Sequence, residues 1–228
     1  MIPILRPDSP PDAFPPVASA LDEPDGLLCA GGDLSTARLI AAYRRGIFPW
    51  YSEGQPILWW SPDPRTVLIP AEFKVSRSLA KSLRNRGFET TVDRAFDAVM
   101  AGCADRRLRP EGTWISPDMQ AAYLRLHELG LAHSIETWLD GRLVGGLYGV
   151  SLGRVVFGES MFSLERDASK VALKRLVDVA LARHVELIDC QVASLHLESL
   201  GARAVPRSEF VGRLAGAIPD VVAPDRWD

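Results

Sequence analysis

The sequence has no run approaching the roughly 18 consecutive apolar residues of a membrane-spanning helix, so an integral helical membrane protein is excluded. Met1 to Pro16 is rich in proline and has no apolar core of the secretory kind, so it does not read as a signal peptide. Cysteine is scarce. Cys29, Cys103 and Cys190 are odd in number and widely spaced, which fits neither a disulfide framework nor a zinc pattern and agrees with a reducing cytoplasm. His127, His133, His184 and His196 lack paired metal-ligand spacing, and no carboxylate cluster supports one. An excess of positive charge is missing too. At a formal net charge of −3, a nucleic-acid partner would need a local basic patch.

What is present is an ordinary globular composition. With 228 residues, 47% hydrophobic and 24% charged, the chain can bury a real core, as one large domain or a medium domain plus a small one. Internal repeats are absent. Asp33 and Ser35 offer N-caps for a helix through Leu39, Ile40 and Tyr43, stopped by Gly46. The aromatic stretch from Ile47 to Pro62 carries too many prolines for a long helix and reads as short strands and turns. Pro62-Asp63-Pro64-Arg65 reads as a turn, which divides the chain into a small unit (1–62) and a larger one (63–228).

In the larger unit, Val75, Leu79 and Leu83 predict a short amphipathic helix over 76–86, followed by a strand over 88–92 and a helix from Asp93. Ser116-Pro117 opens a helix that ends at Gly130. Strands over 134–139 and 143–150 flank Asp140-Gly141, a strong type I′ hairpin signal, and a third strand over 155–161 completes a meander. A helix over 168–183 leads into an apolar strand over 185–189, and the remainder reads as helical or irregular. This is an α+β order with a mostly antiparallel sheet.

Several short stretches carry a resemblance. They are Glu23-Pro24-Asp25-Gly26-Leu27-Leu28, Gly31-Gly32-Asp33-Leu34, Tyr43 through Trp50 and Leu58 through Arg65. They continue with Gly112-Thr113-Trp114-Ile115, Ala132-His133-Ser134, Leu143 through Gly149, Gly158 through Phe162 and Ala168-Ser169-Lys170. Asp189-Cys190-Gln191 and Ser199-Leu200-Gly201-Ala202 close the series. Running in one order over residues 14–210, they resemble the bacterial leucyl/phenylalanyl-tRNA–protein transferases. The resemblance implies a small N-terminal α+β domain and a catalytic domain of the N-acetyltransferase type. It implies transfer of Leu or Phe, and less well Met, from aminoacyl-tRNA to proteins with N-terminal Arg or Lys. It further implies monomeric action in the cytoplasm within the N-end degradation pathway, with no metal, nucleotide or coenzyme A.

That reaction is aminolysis of an ester already activated, so the enzyme must mainly position the partners and manage one proton. Asp189 and Gln191, at i and i+2 near the end of a strand, project to one side of it. The resemblance gives them the attacking amine. An amide is a very weak base, so hydrogen bonding of the amine and stabilisation of its developing charge is the role favoured here. Proton transfer through the tRNA's terminal ribose is an alternative, and the bland reading of the two residues is a helix-capping Asp beside a surface Gln. Cys190, on the other side of the strand, reads as a core residue.

Glu159, between Phe157, Met161 and Phe162, would be costly to bury unpaired. It reads either as the contact for the transferred residue's α-amino group or as half of an internal salt bridge. Leu147, Phe157, Met161 and Leu173 are candidate walls for the transferred side chain, with ordinary core packing as the alternative. Family members often carry Met at the Leu147 position. Trp50 and Trp114 match tryptophans at the tRNA 3′ end, whereas Trp59 and Trp60 read as packing between the domains.

Lys74, Arg77, Lys81 and Arg84 follow helical spacing with no acid between Lys74 and Arg86, and read as a tRNA backbone strip or, more blandly, as a solvated face. Glu136 and Asp140 are candidates for holding the acceptor's basic side chain. An acetyl-CoA-dependent N-acetyltransferase is disfavoured. The segment Phe162 to Asp167 has no glycine and carries two acids where that class needs a pyrophosphate loop. A non-catalytic RNA-binding module is disfavoured by the presence of Asp189, Gln191 and Glu159.

Overall fold

The computed structural model describes residues 2–105, 107 and 113–227. Gly112 of the Gly112-Thr113-Trp114-Ile115 stretch lies outside the described residues.

The described chain forms two sheets. Strands β1 (Ile4–Leu5) and β2 (Leu27–Gly31), helix α1 (Thr36–Arg44), and strands β3 (Phe48–Pro49) and β4 (Leu58–Trp60) come first. Their strands form a sheet in the order β1-β2-β4-β3. Next come β5 (Arg65–Leu68), α2 (Arg77–Asn85), β6 (Glu89–Val92), α3 (Phe96–Ala104), α4 (Pro117–Glu128), β7 (Ala132–Leu139), β8 (Arg142–Leu152) and β9 (Val155–Ser163). Helix α5 (Ala168–Ala182), strand β10 (Leu187–Gln191), helix α6 (Leu195–Ser199), strand β11 (Arg203–Val205) and helix α7 (Arg207–Ala217) end the series. The second sheet runs β11-β5-β10-β9-β8-β7-β6, and in it β9 and β10 are parallel while the other described pairs are antiparallel. An antiparallel meander followed by a helix and a parallel strand is the α+β arrangement with a mostly antiparallel sheet that the sequence predicts.

Local chemistry fixes the element ends. The Ser35 hydroxyl accepts the Arg38 amide at 3.3 Å to cap α1, and Gly46 follows its end at φ +72°. Ser116 caps α4 by accepting the Met119 amide at 3.2 Å, with Pro117 in the first turn. Between β7 and β8, Asp140 and Gly141 have φ +49° and +72°, the two positive values that a type I′ turn requires.

The sheet's two faces hold two cores. Helices α3 and α4 cover the face that presents Tyr148, Val150 and Phe157, a core continuous with Leu39, Tyr43 and Trp59 of the first unit. Helix α5 covers the other face with Val171, Leu173, Leu176 and Val177 against Leu147, Val156 and Ile188.

Three expectations differ from the structure. The helix expected from Asp93 begins at Phe96, because Asp93 adopts φ +56° and its carboxylate accepts the Ser134 amide at 2.8 Å. Residues 65–68 are a strand rather than the end of a turn, and 203–205 form an edge strand beside it. Both are too short for alternation to show: all four residues of β5 are buried, covered on both faces.

Strands β9 and β10 pair at Leu187–Val155, Ile188–Val156 and Asp189–Phe157, and no further. Just beyond, each carries one extra residue relative to its antiparallel partner. On β9 it is Glu159, between the pairs Tyr148–Ser160 and Gly149–Gly158. On β10 it is Cys190, between Asp189–Val67 and Gln191–Thr66. Bulges bend a strand and re-aim its side chains. Here they lie where two parallel strands part, and the opening between them is the floor of a cavity.

Candidate active site

The cavity has a volume of about 590 Å³. Its first-unit wall is Asp25, Phe48, Pro49, Trp50, Trp60 and Pro62, with Trp114 from the segment before α4. Its other wall is apolar, from Leu147, Met161, Leu173, Leu176 and Ile188. Glu159, Asp189, Cys190 and Gln191 lie at the parting strands, and His196 and Leu197 of α6 complete the lining.

The polar centre is one connected network. Asp189 and Arg65 are 0% and 1% exposed and form a two-point ion pair, Nε to Oδ1 at 2.8 Å and Nη2 to Oδ2 at 2.6 Å. The guanidinium lies between the rings of Phe48 and Phe210, 4.7 Å from each centroid. Asp189 Oδ1 also accepts the Gln191 amide at 2.9 Å, which holds Gln191 at φ +63°. That left-handed conformation is disfavoured for a residue with a side chain and is kept by the bonds around it. Gln191 Nε2 then donates to Glu159 Oε1 at 3.2 Å. Among the described residues no hydrogen bond to Gln191 Oε1 is formed, which leaves that oxygen as an acceptor.

Glu159 is held from the other side by two phenols. Tyr43 of α1 donates to Oε1 at 2.8 Å and Tyr123 of α4 donates to Oε2 at 2.9 Å. The two phenol oxygens also lie within hydrogen-bonding reach of each other. Burial raises the Glu159 pKa to about 7, with the Asp189 charge adding to the rise and the two phenols and Arg65 opposing it. Burial, then the Glu159 charge, pushes both tyrosines well above their ordinary value, so they stay neutral donors. The site therefore combines a carboxylate that titrates near neutrality with a fixed amide acceptor, beside an apolar pocket.

The cavity gathers most of the residues singled out from sequence: Asp189, Gln191, Glu159, Trp50, Trp114, Leu147, Met161 and Leu173. Phe157 is not among its lining. The bulge at Glu159 reverses the alternation of β9, so Phe157 faces the α3–α4 core, its ring 4.9 Å from Tyr43, while Met161 faces the α5 side. Among the described residues Glu159 forms no salt bridge; its partners are hydroxyls and an amide. Asp189 caps no helix. Cys190 packs against the α5-side core and also lines the cavity, and burial followed by the Asp189 charge raises its thiol pKa far above the ordinary value, which makes it a poor nucleophile. Trp60 lines the cavity too, whereas Trp59 is buried in the first unit against Phe14.

Glu136 is fully buried, bound by Thr91, Ser134 and the Ala95 amide beside α3, and Asp140 is exposed in the hairpin turn. Neither is on the cavity wall. Arg77, Lys81 and Arg84 are exposed on α2, whereas Lys74 precedes the helix, so the four do not share one helical face. The Lys74 amide donates to the Leu200 carbonyl at 2.8 Å, which sets the start of the strip beside the end of α6. Among the described residues no ion pair engages these four.

Sequence reading missed Arg65, Tyr43, Tyr123, Asp25 and His196 as site residues. Tyr43 is buried on the apolar side of α1, and only the convergence of α1 and α4 reveals its hydroxyl as a site group. Among the described residues no group of three or more His, Cys, Asp or Glu is placed to hold a metal ion. No described helix is long and apolar enough to cross a membrane.

Residues 67–215 match the family model described as leucyl/phenylalanyl-tRNA protein transferase, and residues 32–63 match the model of that transferase's N-terminal domain. A leucyl/phenylalanyl-tRNA–protein transferase of Aromatoleum aromaticum is 58% identical over 234 residues, covering 100% of this chain and 94% of its own length. One of Chromobacterium violaceum is 56% identical over 229 residues, covering 100% of this chain and 97% of its own length. Among solved structures, a ribosomal-protein-alanine N-acetyltransferase from Brucella melitensis is similar at a TM-score of 0.38 and 16% identity, over 50% of this chain and 84% of its own.

Proposed function

Because the chain belongs to the leucyl/phenylalanyl-tRNA–protein transferase family, we propose that it moves Leu or Phe, and less well Met, from aminoacyl-tRNA to proteins that begin with Arg or Lys. The observation that carries this reading is the meeting of Glu159 and Gln191 beside an apolar pocket where β9 and β10 part. The 1–62 unit supplies the tryptophan wall and the 63–228 unit the reacting groups.

In this reading the transferred side chain enters the pocket of Leu147, Met161, Leu173, Leu176 and Ile188. Such a pocket separates chains differing by one methylene by only about 1–3 kcal/mol, which fits a broad Leu, Phe and Met preference. Ionised Glu159 accepts from the α-amino group of the aminoacyl ester. The two phenols hold its carboxylate in place, and its pKa of about 7 keeps much of it charged at neutral pH.

The acceptor's neutral α-amine attacks the ester carbonyl. A C–N bond forms, the C–O bond to the tRNA's terminal ribose breaks, and the amine's proton ends on the departing ribose oxygen. An α-amine with a pKa near ~8 needs only a modest push to be neutral. Gln191 Oε1 accepts an N–H of the attacking amine and stabilises its growing positive charge. Asp189 is engaged with Arg65 and the Gln191 amide, so it acts as a positioning residue that sets Gln191 rather than touching the amine.

Trp50 and Trp114 stack on the tRNA's terminal adenosine, and Lys74, Arg77, Lys81 and Arg84 take its backbone. Phosphate contacts carry no sequence information, so tRNA identity away from the acceptor end matters little. The chain acts as a monomer in the cytoplasm, in the N-end degradation pathway.

The test is transfer of labelled leucine from leucyl-tRNA to a peptide beginning with Arg, with a peptide beginning with Met as control and no coenzyme A or metal added. Label on the Arg peptide alone supports the reading. No transfer from leucyl-, phenylalanyl- or methionyl-tRNA by the folded chain overturns it.

A further inference from the structure

We propose that Asp25 reads the basic side chain of the acceptor's first residue, an assignment that rests on the transferase reading above. Among the described residues three carboxylates line the cavity: Asp25, Glu159 and Asp189. Asp189 is committed with both oxygens to Arg65. Both Glu159 oxygens are bound by phenols. Asp189 is thereby spent on Arg65, and Glu159 is taken in the reading above by the α-amino group of the transferred residue, so neither is left for the acceptor's side-chain cation. Asp25 is exposed, and only its Oδ1 is engaged, by the Asp63 amide at 3.1 Å. Its other oxygen has no bond among the described residues. The neighbouring Asp63 carboxylate already faces Arg207 at 3.8 Å.

The position of Asp25 is fixed by the backbone. Gly26 has φ +83°, and a Cβ there would lie 2.5 Å from backbone atoms of Pro62. The Gly26 carbonyl accepts the Ser61 amide at 2.7 Å. The loop is thus clamped to the 61–63 segment, and Asp25 stands on the same cavity wall as Phe48 and Trp60. A carboxylate beside aromatic faces suits a cation, and a planar guanidinium above all, since it can donate in two directions and stack. An acceptor whose α-amine lies at Gln191 carries its side-chain cation on a chain long enough to leave the reacting centre. Asp25 is the cavity carboxylate with an oxygen to receive it.

The experiment compares leucine transfer to two peptides that differ only at the first residue, Arg or its neutral isostere citrulline. Because both rates are measured on one protein, partial misfolding of a variant cancels in their ratio. The unaltered chain favours the Arg peptide. Asp25→Asn keeps the oxygen that accepts the Asp63 amide but loses the charge, and the Arg-to-citrulline ratio of kcat/KM falls by roughly tenfold, mainly through KM for the Arg peptide. Asp25→Lys lowers it further. A ratio unchanged in both variants overturns the assignment and leaves the transferase reading standing. No transfer by the unaltered chain overturns both.

Discussion

Arg65 and Asp189 meet through two hydrogen bonds with both side chains shut off from solvent, so the charge balance at the base of the site is carried by a pair in which neither partner can be removed alone. Truncating one partner of such a buried pair costs about 3–5 kcal/mol, because the other charge is left uncompensated. Asp189→Ala is therefore expected to lower stability by about that amount, and Asp189→Asn by less, since it keeps an acceptor for Arg65 and for the Gln191 amide. Urea unfolding of the two variants checks this. Activity lost in Asp189→Ala alone reports on the fold; activity lost in a folded Asp189→Asn reports on the positioning of Gln191.

Glu159 should leave a signature in stability against pH. Its folded pKa is raised to about 7 from 4.5, so between those values the folded state holds a proton that the unfolded state has released. The stability from the protonated form is fully present below pH 4.5 and is lost as pH rises through about 7. Glu159→Gln never ionises. Its stability relative to the unaltered chain should therefore be greater at about pH 8 than at about pH 5, in thermal unfolding at the two pH values. An equal difference at both would contradict the raised pKa.

The two phenols that hold Glu159 should also set the acid limb of the rate profile. Tyr43→Phe and Tyr123→Phe each remove a donor that favours the charged carboxylate. Each is expected to move the acid limb of kcat/KM for leucyl-tRNA to higher pH and to lower kcat/KM near neutral pH by roughly tenfold. A profile measured from about pH 5.5 to about pH 9 decides it, since those limits bracket the carboxyl's titration.

On the tRNA side, Arg77→Glu should weaken leucyl-tRNA binding and flatten its salt dependence. Removing one phosphate neutralisation reduces the slope of log K against log salt by about 0.9 on duplex. Transfer from a leucyl ester of adenosine, which has no acceptor stem, should be little affected. Equal tRNA binding by variant and unaltered chain would make the strip an ordinary solvated surface.

Much of this was legible in the sequence because it rests on local chemistry. Ser35, Ser116-Pro117 and Asp140-Gly141 signal their own caps and turn, and the meander follows from the hairpin signal between its first two strands. The motifs around Glu159, Asp189 and Gln191 lead to the cavity. Illegible were the features created by pairing. The extra residue at Glu159 exists only relative to β8, yet it turns Phe157 away from the pocket and Met161 towards it. Arg65 stands in what reads as a turn, and only the pairing of β5 with β10 shows that it neutralises Asp189. Tyr43 and Tyr123 are far apart in sequence and look like core residues until α1 and α4 meet over Glu159.

The central claim is that the amide of Gln191, fixed by Asp189, serves the attacking amine rather than the tRNA. Single-turnover transfer and leucyl-tRNA affinity, measured together on Gln191→Ala, test it most directly. The account predicts that the rate of transfer falls by roughly 100-fold while the dissociation constant for leucyl-tRNA stays within about twofold. Transfer at an undiminished rate, or a loss explained wholly by weaker tRNA binding, would contradict it.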